Sequence, residues 1–318
     1  MINVPGFPRG KALVGLIGSA IARSLTPAMQ EEEARHHGLR LHYQLIDLER
    51  TGGGPSALPM LLAAVRTIGF DGLNITFPCK QAILPLLDEL SDEARAIGAV
   101  NTVIHRSGRL TGHNTDSSGW RWGFERSLPD ADLSRVVLLG AGGAGAAVAH
   151  ALCRMGTAQL LVFDAAPGRA QALAESLSHW YGPQRAFGTD TGTAVITGAT
   201  VPQTGAAASG GAPSSHALAE AMESATGLVN ATPTGMAGSP GMPLPAGLLR
   251  PHCWVAEVVY YPLETPLLLA ARSRGCATVD GGTMAVGQAV GAFELFTGLQ
   301  ADSARMTAHF SRLLEEVT

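Results

Sequence analysis

Short apolar runs alternate with helical patterns through the first 115 residues. Alternation of this kind indicates βαβ units and a mostly parallel sheet. Two further strands, predicted at 99–105 and 109–116, flank Ser107-Gly108, a dipeptide that favours a tight hairpin turn. The earlier predicted strands cover 13–18, 41–47 and 70–76, and the helices between them cover 27–38 and 56–67. The N-terminal part is therefore predicted to be an α/β domain.

A second alternating series follows a helix predicted at 117–127 and begins after Pro129. Strands joined by helices in this way are typical of a doubly wound α/β domain. The predicted strands cover 135–140, 159–164, 185–189, 227–231 and 253–259, and the helices cover 141–156, 282–297 and 301–316. The two closing helices could return to the first domain, and the length of the chain suits two domains.

One segment, 189–215, breaks this alternation. It is rich in Gly, Ala, Thr and Ser and nearly chargeless. Such a composition favours a surface insertion, and we assign it no role.

Composition argues against several classes of function. The 318 residues carry a formal net charge of −4 and contain no long basic run, which argues against nucleic acid as a partner. No apolar run reaches the roughly 18 residues that span a membrane. The histidines form no HExxH motif, so no metal is expected.

Cysteine usage and the N-terminus favour a cytoplasmic protein. Pro5 and Pro8 interrupt the stretch where a signal peptide would need a continuous apolar run. The four cysteines are widely spaced and form no CxxC pair, which favours reduced thiols over a disulfide framework. They are Cys79, Cys153, Cys253 and Cys276.

A glycine-rich turn follows the strand predicted at 135–140 and opens the next helix. It is made of Gly140, Ala141, Gly142, Gly143, Ala144 and Gly145 and fits GxGxxG. Gly140 would allow the tight turn, Gly142 would let the backbone approach a pyrophosphate, and Gly145 would let helix pack on strand. This context indicates dinucleotide binding, the alternative being a tight turn in a domain that binds nothing.

Asp164 ends the next predicted strand, where a carboxylate can accept hydrogen bonds from the adenosine ribose. The same charge would repel a 2′-phosphate, so the sequence predicts NAD over NADP. Asp164 could instead cap a helix that begins near Pro167. Arg169 could meet a 2′-phosphate, or it could only flank the adenine or face solvent.

Two further segments are candidates for proton chemistry. In NITFPCK (74–80), Pro78 biases Phe77 toward extended geometry, so the strand ends and Lys80 falls at the start of a helix. The positive partial charge of a helix N-terminus favours a neutral, proton-accepting lysine, although lysines at such positions are commonly just solvated. Asp116, in NTD before the next helix, is most simply an N-cap.

Two loops at predicted element ends complete the candidate sites. VNATPTGM (229–236) places a polar loop after a strand, at the carboxyl edge where ligands bind in doubly wound sheets. DGGTMAVGQAVGAFELFTG (280–298) places Gly281, Met284 and Gln288 near a helix start.

Taken together, these segments resemble the shikimate/quinate dehydrogenase family. The resemblance covers nearly the whole chain through ordered motifs: GLIGSAIARSLTPAM, GLNITFPCK, AIGAVNTV, GHNTD, GAGGAG, NATPTGM, VVYYPLETPLL and a GxxMxxxQ pattern ending in FTG. The SLT triplet at 24–26 is similar to the quinate-using branch, whereas shikimate-specific members usually have Ser-x-Ser. Three positions depart from the family pattern: Arg23 and Gln30 near the carboxylate pocket, and Glu257 where aspartate is usual.

The resemblance implies a substrate domain of 1–115 plus 290–318 and a Rossmann-type, doubly wound NAD-binding domain of 116–289, in a monomer or homodimer. Lys80 and Asp116 would form the catalytic pair. The expected substrate-binding residues are Ser24, Thr26, Thr76, Asn101, Gln288 and Tyr260. The expected cofactor-binding residues are Gly140, Gly142, Gly143, Ala144, Gly145, Asp164, Arg169, Thr232, Pro233, Gly281 and Met284.

Several of these residues also have simpler structural interpretations. Thr26 could be a helix N-cap followed by proline at N1. Asn101 could satisfy local backbone, and Gln288 could be exposed on its helix. Met284 could fill the core, and Tyr260 could pack at the sheet edge.

The predicted reaction is the reversible, NAD-dependent oxidation of the C3 hydroxyl of quinate, shikimate or both to the 3-dehydro acid. Lys80 would take the hydroxyl proton, and Asp116 would orient Lys80. One alternative is a biosynthetic shikimate dehydrogenase that uses NADP. Another is a catalytically silent sensor on the same scaffold, which would not need to keep Lys80 and Asp116.

Overall fold

The computed structural model describes residues 10–182, 186–190, 193–194 and 215–317. The chain divides into two compact units, one formed by Met1–Gly119 with Ala285–Thr318 and the other by Trp120–Met284. Most of the insertion predicted at 189–215 lies outside the described residues. None of the described helices combines the length and the apolar character needed to cross a membrane.

The elements follow one another in an α/β order. As far as the hairpin they are β1 (Lys11–Gly18), α1 (Thr26–His36), β2 (Arg40–Asp47), α2 (Leu48–Thr51), α3 (Leu58–Ile68), β3 (Gly72–Ile75), α4 (Cys79–Ala82), β4 (Glu89–Leu90), α5 (Asp92–Ile97), β5 (Thr102–Arg106) and β6 (Arg109–His113). Then come α6 (Asp116–Ser127), β7 (Arg135–Leu139), α7 (Gly143–Arg154), β8 (Gln159–Asp164), α8 (Arg169–Tyr181), β9 (Ala186–Asp190), β10 (Thr193–Ala194), α9 (Ser215–Glu223), β11 (Gly227–Asn230), β12 (Trp254–Glu257), α10 (Pro266–Ser273), β13 (Thr278–Val279), α11 (Gly281–Thr297) and α12 (Ser303–Val317).

The sheet of the first unit has the strand order β2-β1-β3-β5-β6-β4. β1 runs parallel to β2 and β3, whereas β5 is antiparallel to both of its neighbours. The predicted hairpin is confirmed, because Ser107 (φ 50°) and Gly108 (φ 77°) both adopt the left-handed conformation of a two-residue turn. This short turn joins antiparallel strands, and three of the five strand pairs are parallel, as the predicted mostly parallel sheet with a hairpin requires.

Two apolar layers cover the faces of this first sheet. Side chains alternate along β1, so that Val14 and Leu16 pack on one face, in a cluster that includes Phe293 of α11. Ile17 points to the other face and packs in a cluster with Leu62 and Val65 of α3. The apolar runs of the sequence therefore become strands covered by helices.

The sheet of the second unit has the order β10-β9-β8-β7-β11-β12-β13. From β9 to β13 every pair is parallel, and β10 adds an antiparallel strand at the edge. This is the doubly wound Rossmann order, whose direction reverses between β7 and β11. The predicted Rossmann-type fold is confirmed, and its switch point lies where Gly140 and Ala231 follow their strands.

Two differences from the predicted strands bear on the site. The strand predicted at 99–105 begins only at Thr102, and the one predicted at 109–116 ends at His113. Both Asn101 and the NTD sequence at 114–116 are therefore loop residues at one edge of the first sheet. Several short elements, including β4, α5, α10 and β13, were not predicted.

Candidate active site

The loops at one edge of the first sheet and the helix start beside them carry four of the six predicted substrate residues, Ser24, Thr26, Thr76 and Asn101. The segment with Ser24 follows β1, and the segment with Thr76 and Lys80 follows β3, the parallel neighbour of β1. Asn101 immediately precedes the antiparallel β5, and Asp116 comes soon after β6, so both lie at this same edge. Topology thus gathers residues that are far apart in sequence.

Lys80 and Asp116 form a close ion pair within the first unit. Lys80 Nζ donates to Asp116 Oδ2 at 2.6 Å, and the side chains are 18% and 1% exposed. Asn101 Nδ2 donates to the other oxygen, Oδ1, at 2.9 Å. A buried carboxylate needs such partners, because an unpaired one is costly to remove from water.

Asn114, rather than Asp116, satisfies the amides at the start of α6. Its Oδ1 accepts hydrogen bonds from Asp116 N at 3.0 Å and from Ser117 N at 3.4 Å. The simple interpretation of Asp116 as an N-cap is therefore wrong. Capping by the preceding asparagine leaves the Asp116 carboxylate available to Lys80.

A hydrogen-bonded network of polar side chains extends from this ion pair through Asn101. Asn101 Oδ1 accepts from Thr115 N at 2.8 Å and from Thr102 Oγ1 at 2.9 Å, and its second amide proton meets Thr115 Oγ1 at 3.0 Å. Asn74 Nδ2 donates to Thr102 Oγ1 at 3.1 Å, and Tyr43 donates to Asn74 Oδ1 at 2.7 Å. Asn101 thus bonds well beyond its local backbone, contrary to the simpler interpretation.

Gln288 reaches this site because α6 and α11 touch backbone to backbone. A Cβ on Gly119 would clash with the amide nitrogen of Gln288, and one on Gly287 would lie 2.6 Å from the Gly119 carbonyl oxygen. Thr115 Oγ1 donates to the Gln288 carbonyl at 3.1 Å. The Gln288 side chain is half-buried rather than exposed.

Ser24 and Thr26 lie where α1 begins, and both are half-buried. Leu25 is the residue at the N-cap position, and no side chain makes a capping hydrogen bond there. The N-cap interpretation of Thr26 is therefore wrong. Thr26 N instead donates to Ser24 Oγ at 3.3 Å. Thr76 is half-buried beside Gly18, four residues before Lys80.

The glycine-rich turn of the second unit has the geometry that a dinucleotide requires. Gly140 has φ +100°, and a Cβ there would lie 2.7 Å from the Ala231 carbonyl oxygen. A Cβ on Gly145 would clash with the Gly140 carbonyl, so α7 packs directly on the turn. Gly142 precedes α7 and has open space beside it, which leaves room for a phosphate at the helix N-terminus.

Asp164 lies at the end of β8 and supports the glycine-rich turn. Its Oδ2 accepts from Ala141 N at 2.7 Å, and its Oδ1 accepts from Ala166 N at 2.8 Å. The next helix begins at Arg169 after Gly168, so the N-cap interpretation of Asp164 is wrong. Arg169 is exposed at the first position of α8.

The remaining predicted cofactor residues follow β11 or open α11. Thr232 donates its hydroxyl to Asn230 Oδ1 at 2.7 Å, and Pro233 comes next in the same loop. Met284 is 4% exposed, which agrees with the alternative interpretation that it fills the core. Tyr260, predicted to bind substrate, lies in the second unit in the loop after β12, and burial raises the pKa of its phenol.

Known proteins resemble this chain over almost its entire length. The family model for the shikimate dehydrogenase substrate binding domain matches residues 16–103. A shikimate dehydrogenase (NADP(+)) of Streptomyces avermitilis is 54% identical over 95% of each chain. A quinate/shikimate dehydrogenase (NAD(+)) of Corynebacterium efficiens is 46% identical over 95% of this chain and 98% of its own. The chain belongs to the shikimate/quinate dehydrogenase family.

A solved structure agrees with this family assignment. The quinate dehydrogenase of Corynebacterium glutamicum in complex with NAD superimposes with a TM-score of 0.81 at 43% identity, covering 95% of this chain and 99% of the other. As a shikimate/quinate dehydrogenase, the protein is an oxidoreductase that binds a nicotinamide cofactor and a small-molecule substrate.

Sequence reasoning missed several residues that shape this shikimate/quinate dehydrogenase. Asn114 and Thr115 were noticed only as part of the motif around Asp116, and the buried pair Asn230 and Glu257 had no assigned role. An asparagine directly before a Thr-Asp helix start is a capping signal that could have been used. The Asn230–Glu257 contact depends on strand register, which the sequence does not display.

Proposed function

We propose that this enzyme oxidises the C3 hydroxyl of quinate, shikimate or both, reversibly and with NAD as the cofactor. The observation that carries this proposal is the Lys80–Asp116 ion pair at the edge of the first sheet. A non-catalytic sensor would have no need for this arrangement. The four buried, free cysteines support a cytoplasmic location, and we propose a monomer or homodimer.

Lys80 would carry the proton. In its neutral form it would accept the proton of the C3 hydroxyl, and in the reverse direction its ammonium would donate it. Asp116 would fix Nζ in place and balance its charge, while Asn101 would hold Asp116 through Oδ1. A well-placed acid–base group of this kind contributes roughly 10²–10⁴ in rate.

Other polar side chains would bind the rest of the substrate. Ser24 and Thr26 would donate to the carboxylate, with Tyr260 as a further contact. Thr76 and Gln288 would hold ring hydroxyls. Both amide protons of Asn101 already have acceptors in Asp116 and Thr115, so a positioning role suits Asn101 better than a direct contact.

The second unit would hold the cofactor, which when bound supplies the hydride acceptor. The amides before α7, next to Gly142, would bind its pyrophosphate, and Asp164 would accept from its ribose hydroxyls. Gly281 and Thr232 would lie near the nicotinamide. The fixed negative charge of Asp164 supports NAD, because it would repel a 2′-phosphate.

NADP-dependent shikimate oxidation is the second candidate. It is favoured by the relative from Streptomyces avermitilis, which is named for NADP. Arg169, exposed at the start of α8, could meet a 2′-phosphate.

Absorbance at 340 nm, followed with quinate or shikimate and with NAD⁺ or NADP⁺, tests the proposal directly. We expect turnover with NAD⁺, and the ratio of kcat/KM for quinate to that for shikimate identifies the preferred acid. A clear NADP⁺ preference would favour the second candidate. Binding without turnover in all four pairs would favour the sensor.

A further inference from the structure

A buried polar cluster joins the ends of two neighbouring strands in the second unit. Asn230 is the last residue of β11, Glu257 is the last residue of β12, and the two are partners in the parallel register. They are 0% and 1% exposed. Neither residue belongs to the proposed catalytic or binding set.

Glu257 is surrounded by neutral hydrogen-bond donors. Asn230 Nδ2 donates to both carboxylate oxygens, at 2.9 and 3.1 Å. Oε1 also accepts from the amides of Val258 at 3.0 Å and Val259 at 3.1 Å, and Oε2 accepts from Thr265 Oγ1 at 3.1 Å. Through the described ranges of the chain, no ion pair neutralises this carboxylate.

Burial raises the pKa of Glu257 to about 7, although its hydrogen bonds from Asn230, Val259, Thr265 and Val258 act in the opposite direction. A buried carboxylate without a cation costs folding free energy. A gain in stability therefore gives no reason for its presence. The reason for its presence lies instead in the geometry that Glu257 imposes on its neighbours.

The first consequence of the cluster is the shape of the loop after β11. Asn230 Oδ1 accepts from Thr232 N at 3.1 Å and from Thr232 Oγ1 at 2.7 Å, and Asn230 Nδ2 donates to the Thr234 carbonyl at 3.0 Å. Glu257 fixes the direction of the Asn230 amide, because only the NH₂ end can face a carboxylate. The loop that carries Thr232 and Pro233 thus takes its orientation from Glu257.

The second consequence concerns the start of α11. Glu257 holds the amides of Val258 and Val259, and a Cβ on Gly281 would clash with the carbonyl oxygens of the same two residues. The backbone at Gly281 therefore rests directly on the segment that Glu257 anchors.

We propose that Glu257 is a positioning residue for hydride transfer, acting through Asn230 and the amides of Val258 and Val259. This inference rests on the proposed function, because Thr232 and Gly281 are the residues assigned to the nicotinamide. Glu257 touches neither substrate nor cofactor in this assignment. It sets the two backbone segments against which the reactive ring would lie.

The test compares Glu257→Gln and Glu257→Asp with Glu264→Gln. Glu264 is a matched control, because it lies seven positions further on and its exposed carboxylate pairs with Arg272 on the surface. In Glu257→Gln, an NH₂ group must face at least one of the surrounding donors. The measurements are kcat and KM for the acid, the deuterium isotope effect with the acid deuterated at C3, NADH affinity by fluorescence and thermal unfolding.

We expect Glu257→Gln to lower kcat by up to about 100-fold, the loss that a displacement of about 1 Å can cause. The KM for the acid should rise far less than kcat falls, because Ser24, Thr26 and Lys80 lie in the other unit and only Tyr260 follows the segment that Glu257 anchors. The isotope effect on kcat should be at least as large as in the wild type, and NADH should bind more weakly. Glu257→Asp should restore part of kcat, and Glu264→Gln should match the wild type.

Equal kcat and NADH affinity in Glu257→Gln and Glu264→Gln would overturn the proposal. If Glu257→Gln does not fold, Glu257→Asp decides, and an unchanged kcat there overturns it. Failure of both to fold would make Glu257 a stability residue and the proposal wrong. A wild type without turnover would refute the proposed function separately, and NADH fluorescence of the variants would still report the loop geometry.

Discussion

Gly119 packs directly against the backbone of Gln288, where α6 crosses α11. The contact leaves no room for a side chain and keeps Gln288 beside Thr115. Gly119→Ala must push the two helices apart, and overpacking of this kind costs about 1–3 kcal/mol. We therefore expect a lower free energy of unfolding in urea and a higher KM for the acid.

Gly247→Ala is the matched control for this variant. A Cβ on Gly247 would meet no atom within 4 Å. This variant should keep the wild-type unfolding curve and KM. If the two alanine variants are equally stable, the close crossing of α6 and α11 is not the constraint described here.

Lys80→Ala should lower kcat by about 10²–10⁴, the usual contribution of a positioned acid–base group, with a far smaller effect on KM. The sequence has only two lysines, and the other, Lys11, is exposed outside the site. Lys11→Met is therefore a clean control and should retain full activity. Steady-state assays at 340 nm measure the activity of both variants. A near-normal kcat in Lys80→Ala would refute the assignment of Lys80 as the proton carrier.

Thr26→Ser tests the choice between the two acids. Quinate has a tetrahedral C1 with its own hydroxyl, whereas shikimate is planar there, so the methyl group of Thr26 can shape the pocket for quinate. We expect the ratio of kcat/KM for quinate to that for shikimate to fall. Thr307→Ser, on an exposed turn of α12, should leave the ratio unchanged. No change in Thr26→Ser would mean that its methyl group does not select the substrate.

Asp164→Asn tests the choice of cofactor. Removing the carboxylate abolishes its repulsion of a 2′-phosphate, and such juxtaposed like charges cost several kcal/mol. The NADP⁺ to NAD⁺ ratio of kcat/KM should rise by at least about tenfold. Asp130→Asn changes an exposed aspartate of the same unit and should not alter the ratio. An unaltered ratio in Asp164→Asn would remove the argument for NAD.

Glu33 should make the stability of the protein depend on acid pH. Burial raises the pKa of this carboxyl, but hydrogen bonds from Arg305, Asp302 and His37 outweigh it and hold the pKa below its ordinary value of 4.5. Because the folded-state pKa is depressed, the stabilisation is present above pH 4.5 and is lost as pH falls through the folded-state value. Between neutral and acid pH, the melting temperature of Glu33→Gln should fall less steeply than that of the wild type. Parallel curves of melting temperature against pH for the two proteins would contradict this.

Much of the architecture could be predicted, because apolar runs such as 135–140 and 159–164 become buried parallel strands. The proximity of Lys80 and Asp116 was predicted from ordered family motifs, since neither residue alone distinguishes chemistry from solvation or capping. Helix ends were predicted less well. Whether Thr26, Asp116 or Asp164 caps a helix depends on where the backbone turns. Leu25 and Gly168 occupy the N-cap positions of α1 and α8, and Asn114 accepts from the first amides of α6.

The role of Glu257 could not be predicted for a different reason. A glutamate after an apolar run is usually solvated, and only the register between β11 and β12 shows that this one is enclosed. The sequence displays which residues are polar. The partners that satisfy them depend on which strands become neighbours.

The first unit draws on both ends of the chain, whereas the second is one uninterrupted stretch from Trp120 to Met284. A single uninterrupted segment of the chain therefore makes up the whole Rossmann-type unit, and Lys80 and Asp116 lie outside it. We expect that exchanging this segment between relatives named for NAD and for NADP transfers cofactor preference and keeps the proposed acid–base pair of the recipient. The two joints fall at Gly119 and Ala285, within α6 and α11, so a workable chimera must preserve the glycine contact beside them.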